Sequence, residues 1–518
     1  MKKRIKKNKY IVLLFPRGGR YDREITDLPL SLLFTCRVCL ENDYEIEIID
    51  QRVDSDWERH LKECIKKDPL LVGISTMTGP TIYYSLQMAA VVKETNLDIP
   101  IVWGGIHPTI CPEQTLENEY VDFVIKGYGE RALYQLAENL LHEKKDYSNV
   151  TGLTYSQNGN VKSNPKDIIK DWGEFPRIPY HLVDFNKYKR FNWDMSFSIL
   201  TSVACPAKCT FCYEGSFHFK EKWMTFPEKQ ILDDIKGNFS KYSFTSLSFI
   251  DSEFFVDMKR SKSLILMIKD ILPKREKPYY FYFRGVRAND LYRMDDKFLA
   301  SLNDLGTVIF YVGVESVSPK IQKILRKPIN VDKLLYQNKR FAKYKNINLG
   351  YNFMSGLPEE ELQDLIENIK ICYQLVTENP LSFVSGLAQF MPYPGTKLFD
   401  YIVEKYDYQY PAKLVQWSQW DSDMMEKTER TWVNKKLILP IELFSFIANF
   451  LDNKIDLYYK GYNFKNITIR LAISLYRSIA RIRFKYFITF LPFELLIKKM
   501  IFLENSAVSN AVSKKESL

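Results

Sequence analysis

Short runs of Val, Ile and Leu alternate with longer amphipathic stretches along most of this 518-residue chain, and this alternation restricts the fold more than any other feature. In the first region the apolar runs are residues 10–15, 45–50, 70–75, 99–105 and 121–127. Apolar strands separated by helices are typical of a parallel sheet with both faces covered. We therefore predict a doubly wound α/β domain in residues 1–145, with ligands bound at the carboxyl ends of its strands.

A second region, residues 196–400, repeats the alternation with more units. Its predicted strands are residues 196–202, 246–251, 279–285, 308–316, 347–356 and 383–390. This number of βα units predicts a full or partial (β/α) barrel whose chemistry lies at the strand carboxyl ends. Residues 146–195 contain several prolines and no sustained period, which predicts a connecting segment on the surface. Residues 401–518 are predicted to be mainly helical.

Three of the eight cysteines fall within eight consecutive residues, directly after a predicted strand. The spacing of Cys205, Cys209 and Cys212 lets three thiolates on one loop converge on one small object. A [4Fe–4S] cluster takes one thiolate per iron, so three thiolates leave one iron free to bind another ligand. A structural zinc ion is the alternative, but it needs a fourth ligand, and the sequence offers His218 without a second cysteine pair.

The cysteine motif, with the aromatic Phe211 before its third cysteine, resembles that of the radical S-adenosylmethionine (SAM) superfamily over residues 196–400. Further segments match the family in the expected order: Ile250 to Phe254, a looser match than the usual Gly-Gly-Glu, then Gly313 to Ser316, Gly356 to Glu359 and Pro392 to Thr396. The resemblance implies a radical SAM barrel with a [4Fe–4S] cluster on Cys205, Cys209 and Cys212. It also implies SAM contacts by Phe211, Asp251, Ser252, Glu253 and Glu315.

Three segments before the barrel carry a second resemblance: VGISTMTG (72–79), VWGGIHPT (102–109) and VIKGYGE (124–130). Together they resemble the cobalamin-binding domain of the cobalamin-dependent radical SAM subgroup. This implies that residues 1–145 form a Rossmann-like domain that holds cobalamin. The implied contacts are Ser75, Thr76, Met77, Gly104, Gly105 and Gly127.

The lower axial ligand of cobalt is not indicated by the sequence. The Asp-x-His-x-x-Gly motif that supplies a histidine ligand in other cobalamin proteins is absent. We expect His107 to be a loop residue satisfied by the protein itself. Met77 either faces the lower side of cobalt or simply packs, since methionine fills irregular gaps readily.

The combined resemblance implies an enzyme, with C-methylation of an unactivated carbon, through methylcobalamin and a 5′-deoxyadenosyl radical, as the leading hypothesis. The alternatives are an oxidative cyclase or ring-rearranging enzyme of the same subgroup and, in another class, a cobalamin-binding regulator with an inactive cluster domain. The implied partners are a small-molecule substrate (a lipid, tetrapyrrole or natural product) and an external electron donor such as flavodoxin or ferredoxin. Catalytic side chains are not indicated by the sequence.

Charge and hydropathy exclude other classes of protein. The net charge of +10 is modest for this length, and no basic stripe with interleaved aromatics indicates a nucleic-acid partner. No apolar run reaches the ~18 residues of a membrane span, and residues 10–15 are too short for a signal peptide, so we expect a cytoplasmic protein. Arg477, Arg481 and Lys485 share one helix face. This predicts either a basic helical lid on the barrel or contact with an anionic membrane surface.

Overall fold

Two seven-stranded sheets form the framework of the computed structural model, which describes residues 8–19, 22, 27–190, 194–214, 222–420, 430–452 and 467–502. The strands of the first sheet are β1 (Tyr10–Phe15), β2 (Glu45–Asp50), β3 (Leu71–Ser75), β4 (Ile101–Gly104), β5 (Phe123–Ile125), β6 (Leu153–Gln157) and β7 (Asn160–Ser163). The helices of this half are α1 (Leu30–Glu41), α2 (Trp57–Lys66), α3 (Pro80–Thr95), α4 (Ile106–Ile110), α5 (Pro112–Leu116) and α6 (Glu130–Leu141).

The first sheet has the strand order β2-β1-β3-β4-β5-β6-β7, and β1 to β5 pair in parallel. Successive residues of β1 point to opposite faces, and both faces are buried. Ile11 and Leu13 pack in the core beneath α1 and α6, whereas Val12 and Leu14 pack in the core that includes α2 and α3. This two-sided burial explains why the strand is apolar throughout, and it confirms the predicted doubly wound sheet.

β6 and β7 form an antiparallel hairpin at the edge of this sheet, within the stretch predicted to be a connecting segment. Their turn is Asn158-Gly159, with φ values of 54° and 77°. Positive φ at both central residues favours a tight hairpin, and Asn-Gly adopts it readily. The sheet therefore continues past residue 145 to Ser163.

The second sheet contains β8 (Lys189–Arg190), β9 (Asp194–Ile199), β12 (Ser246–Phe249), β13 (Tyr280–Arg287), β14 (Thr307–Glu315), β15 (Ile347–Ser355) and β16 (Ser382–Gln389). A separate antiparallel pair is formed by β10 (Ser202–Val203) and β11 (Met224–Thr225). The helices are α7 (Glu228–Lys241), α8 (Met258–Ile271), α9 (Ala288–Leu291), α10 (Asp296–Asn303), α11 (Pro319–Leu325), α12 (Val331–Phe341), α13 (Leu362–Glu378) and α14 (Lys397–Tyr406).

Six strands of the second sheet are parallel and follow one another in chain order from β9 to β16. Among the described strands none joins β9 to β16, so the barrel is partial rather than closed. All six predicted strands of this region are present. Because the strands are parallel, their carboxyl ends meet at one rim, which is where barrel enzymes place their chemistry.

The C-terminal region contains α15 (Lys435–Ile447), α16 (Ile467–Tyr486) and α17 (Phe493–Phe502), which agrees with the predicted helical character. None of the helices in the described part of the chain is long and apolar enough to cross a bilayer.

Polar contacts fix the first domain against the barrel. Asp27, just before α1, accepts a hydrogen bond of 2.8 Å from the Ser198 hydroxyl of β9 and pairs with Arg284 of β13 at 3.0 Å. On the other side, the Trp417 indole donates to Gln114 of α5 at 2.7 Å. These contacts bring the strand carboxyl ends of the two domains to face one another.

Candidate active site between the two domains

A cavity of about 440 Å³ lies between the facing strand ends of the two domains. Its walls come from the loops after β3, β4 and β5 on one side and, on the other, from residues 203–204 and 213–214 together with Ile250 and Ser252. Ala204 directly precedes the first cysteine of the three-cysteine motif. The cavity therefore extends from the predicted cobalamin domain to the predicted cluster loop.

Four of the six predicted cobalamin contacts line this cavity: Ser75, Gly104, Gly105 and Gly127. Thr76 and Met77 do not line it, and their contact with cobalamin stays a prediction. Thr76 is buried, with its hydroxyl 2.8 Å from that of Ser85 and its amide donating to the Gly104 carbonyl. Met77 is 53% exposed, so it is not a core residue.

The glycines give this wall a bare backbone. Gly105 has φ of 102°, and a Cβ there would lie 2.5 Å from the Thr76 carbonyl oxygen, so the turn requires glycine. A Cβ on Gly104 would meet only the Ile125 carbonyl oxygen, at 3.9 Å. Deeper in the domain the lining is apolar: Leu13, Leu32, Val102, Ile125 and Leu133. A bare backbone rim with an apolar interior fits cobalamin, which combines a broad amide-bearing ring with an apolar base.

His107 lies outside the cavity lining, as expected from its sequence context. The side chain is fully buried, with Nδ1 3.1 Å from the Thr78 hydroxyl and the ring 5.7 Å from that of Trp417. Burial lowers the pKa of His107 to about 4, so the imidazole is neutral at pH 7. Among the described residues, no histidine lines the cavity.

Several cavity residues were not among the predicted contacts: Ser31, Thr35, Trp172, Tyr213 and Glu214, and also Tyr128 and Glu130 of the segment 124–130 that carried the cobalamin resemblance. Trp172 comes from the stretch predicted as a connecting segment, and its ring lies 4.9 Å from Tyr128 and 5.1 Å from Phe226. Glu130 pairs with Arg37 at 3.2 Å, with both side chains buried. Long-range packing brings these residues together, which periodicity alone cannot indicate.

The three-cysteine loop runs between β10 and β11, whose pairing closes its base. Thr210 anchors the loop to the barrel because its amide and its hydroxyl donate to the carbonyls of Leu325 and Ile324, at 3.1 and 2.8 Å. Cys205, Cys209 and Cys212 are free and half-buried. Burial raises the pKa of Cys205 to about 11 and of Cys212 to about 12. Such thiols become thiolates when a positively charged iron centre replaces their protons.

The number of donors favours a cluster over a single zinc ion. A structural zinc ion needs a fourth protein ligand, whereas a [4Fe–4S] cluster can be held by the three thiolates of this loop. His218, the alternative fourth zinc ligand, lies outside the described residues.

The predicted SAM contacts separate into different roles. Ser252 lines the cavity and donates to Glu214 at 2.8 Å. Glu253 is buried and accepts no hydrogen bond from the described residues, and its one ion pair, with Arg287, is long at 3.9 Å. Its burial, together with the neighbouring Asp290 carboxyl, raises the pKa of Glu253 to about 9. A buried carboxyl without a hydrogen-bond donor from the described residues fits a ligand amine, and contact of Glu253 with SAM stays a prediction.

Asp251 forms hydrogen bonds within the protein, and its contact with SAM stays a prediction. It accepts hydrogen bonds from the Thr201 amide, the Thr201 hydroxyl and the Ser202 hydroxyl, and it is not part of the cavity lining. Its carboxylate therefore holds the chain in place just before the cysteine loop.

Glu315 and Phe211 also lie outside the cavity lining. Glu315, at the end of β14, pairs with Lys327 at 2.6 Å. A Cβ on Gly313 would lie 2.5 Å from the Lys327 amine, so the ion pair packs directly against the backbone of this glycine. Phe211 is partly buried against the core. Contact of Glu315 and Phe211 with SAM stays a prediction.

Substitutions at Asp251 and Glu253 should separate a structural role from a ligand-binding role. Asp251→Ala leaves two buried hydroxyls and one amide without their acceptor and should lower the free energy of unfolding by about 3 kcal/mol. Glu253→Gln replaces a buried carboxyl that has no hydrogen-bond donor among the described residues and only a 3.9 Å ion pair with Arg287, so stability should hold or rise while the Kd for SAM increases at least tenfold. Denaturant unfolding and equilibrium SAM binding measure these two effects. Equal loss of stability in both variants would contradict the assignment.

Comparison with protein families identifies both halves of the chain. Residues 28–137 match the B12 binding domain and residues 199–371 match the radical SAM superfamily. These matches confirm the predicted cofactor set of cobalamin, a [4Fe–4S] cluster and SAM.

Known proteins resemble the chain over most of its length. An uncharacterised methyltransferase of Pyrococcus horikoshii is 28% identical over 403 residues, which cover 76% of this chain and 83% of that protein. The anaerobic magnesium-protoporphyrin IX monomethyl ester cyclase of Rubrivivax gelatinosus is 25% identical over 378 residues, 70% of this chain and 63% of that protein.

Among solved structures, the cobalamin-dependent SAM radical enzyme OxsB with aqua-cobalamin bound has the same fold. The TM-score is 0.71 at 18% identity, and the alignment covers 96% of this chain and 76% of that chain. The chain therefore contains a B12-binding domain followed by a radical SAM domain, and it has the fold of a cobalamin-dependent radical SAM enzyme.

Proposed function

We propose that this enzyme transfers a methyl group to a carbon atom of a small molecule. The observation that carries the proposal is the single cavity whose opposite walls are the glycine-rich loops of the B12-binding domain and the start of the cysteine loop. The cofactors, when bound, supply hydrogen abstraction and a methyl donor. A substrate carbon between the two walls would be within reach of both, which is the positioning that such a transfer requires.

The residues of the cavity orient and enclose the reactants. Apolar side chains at Leu200, Val203 and Ile250 cover the barrel side and exclude water, which protects reactive species. The hydrogen bond between Ser252 and Glu214 fixes the polar part of the same wall. The pair of Asp27 with Arg284 holds the two domains at a constant separation.

The relatives support methyl transfer and also leave one rival. The methyltransferase of Pyrococcus horikoshii is matched over more of its length than the cyclase of Rubrivivax gelatinosus. The cyclase match keeps an oxidative cyclase or ring-rearranging enzyme as the second candidate. We also propose that an external one-electron donor, such as flavodoxin or ferredoxin, supplies electrons to the enzyme.

The products formed from SAM should distinguish the candidates. Anaerobically reconstituted holoenzyme, reduced with titanium(III) citrate and given SAM with a trideuterated methyl group, should form trideuteromethylcobalamin and S-adenosylhomocysteine. It should also release 5′-deoxyadenosine. Release of 5′-deoxyadenosine without S-adenosylhomocysteine would replace the proposal with the cyclase. Formation of neither product would support a cobalamin-binding regulator instead.

A further inference from the structure

Large apolar side chains are exposed along α16, the turn that follows it and α17, and together they are called the apolar surface here. The nine side chains are Leu475, Ile479, Ile482, Tyr486, Phe490, Leu491, Phe493, Leu496 and Ile497. The four on α16 are spaced by four, three and four residues, so they lie on one helix face. Leu475 is 73% exposed and Phe490, between the helices, is 74% exposed. Exposed apolar side chains grouped in this way are typical of an interaction site.

The two helices present this surface as one unit with a packed interior. On the inner side of α16, Phe484 is fully buried and its ring lies 5.0 Å from that of Phe444 on α15. Arg483 pairs with the buried Glu494 of α17 at 2.8 Å, and Glu494 also accepts a hydrogen bond from Tyr476 at 2.7 Å. The inner faces of both helices thus pack and form polar contacts within the protein, whereas the nine apolar side chains of the apolar surface are exposed.

The charged residues of α16 and α17 are mostly basic. Residues 467–502 contain seven Lys and Arg residues and a single acidic residue, Glu494. Because Glu494 is buried and paired with Arg483, it contributes no negative charge to the surface. Lys485 is exposed beside Tyr486, at the end of α16. Among the side chains that the structure describes on these two helices, a lysine is therefore exposed and no carboxylate is.

This combination fits a lipid surface better than a protein partner. A helix with an apolar face and basic residues lies in the membrane interface, where anionic headgroups attract the basic residues. Lysine is depleted in the centres of protein interfaces. Since no described helix can cross a bilayer, the geometry is that of surface attachment. We propose that α16 and α17 dock this enzyme on an anionic phospholipid membrane. The proposal is independent of methyl transfer.

Vesicle flotation of the holoenzyme tests the attachment. The chain should float with vesicles of 30% phosphatidylglycerol in phosphatidylcholine at 0.1 M NaCl, at least tenfold more than with pure phosphatidylcholine, and 0.5 M NaCl should weaken the binding. The triple variant Leu475→Gln, Ile482→Gln and Phe490→Ser should lose at least tenfold of the binding. A matched triple variant of exposed apolar residues elsewhere, Leu97→Gln, Ile168→Gln and Tyr336→Ser, should bind like the wild type.

Retention of the cluster and corrin in both triple variants shows that they are folded. The proposal is overturned if the wild type does not float with the anionic vesicles, or if the α16–α17 variant floats equally well. It is also overturned if light scattering shows a dimer that only the α16–α17 variant abolishes, because the surface would then join two copies of the chain. None of these readouts depends on which reaction the enzyme catalyses.

Discussion

Replacement of Cys205, Cys209 or Cys212 by alanine should remove the iron–sulfur cluster and abolish SAM cleavage, with a rate loss of about 10³-fold or more. The reason is that each thiolate holds one iron, and the loop offers no substitute donor among its described residues. Iron and sulfide content, together with 5′-deoxyadenosine release under reducing conditions, measure the effect. Corrin binding should be retained, because the glycine-rich loops that form the opposite wall are unchanged.

Cys111→Ala is the matched control for these variants. Cys111 is also a free, half-buried cysteine, and burial raises its pKa to about 12, like that of Cys212. It lies in the first domain and outside the cavity lining. We expect full iron content and unchanged SAM cleavage. Stoichiometric zinc in the wild-type protein, or normal iron in the Cys209→Ala variant, would contradict the cluster assignment.

The two sheets could be predicted from sequence because strands buried on both faces must be apolar throughout, as β1 and β3 are. The cluster loop could also be predicted from sequence, because its chemistry depends on the spacing of three cysteines along one loop. The hairpin of β6 and β7 was missed because β7 is exposed and polar, and only the Asn158-Gly159 turn indicated it.

The composition of the cavity was less predictable because it depends on contacts between distant segments. Thr76 follows directly after a residue that lines the cavity, yet its side chain turns to Ser85. Asp251 lies between two predicted contacts, yet its carboxylate accepts hydrogen bonds from the hydroxyls of Thr201 and Ser202. Position in a motif thus indicates the neighbourhood of a residue, whereas the direction of its side chain is decided by packing.

Gly104→Leu should reduce the corrin content of the reconstituted enzyme at least tenfold, a loss of about 1.4 kcal/mol in binding free energy. The added side chain projects from the cavity wall, where the nearest atom to a Cβ is the Ile125 carbonyl oxygen at 3.9 Å. It therefore occupies the space of the ligand without a clash with the protein. Corrin absorbance per chain measures the loss, and cluster content and thermal unfolding should stay at wild-type values.

Two other glycines separate occupation of the cavity from damage to the fold. Gly237→Leu, on the exposed side of α7 with nothing within 4 Å of its Cβ, adds the same side chain and should leave corrin binding intact, with a gain of about 1 kcal/mol in stability. Gly105→Ala should lower the melting temperature as well as corrin content, because its positive φ and the nearby Thr76 carbonyl exclude a Cβ. If Gly104→Leu keeps its corrin, cobalamin binds elsewhere, and the two walls of the cavity no longer explain how cluster and corrin act on one substrate.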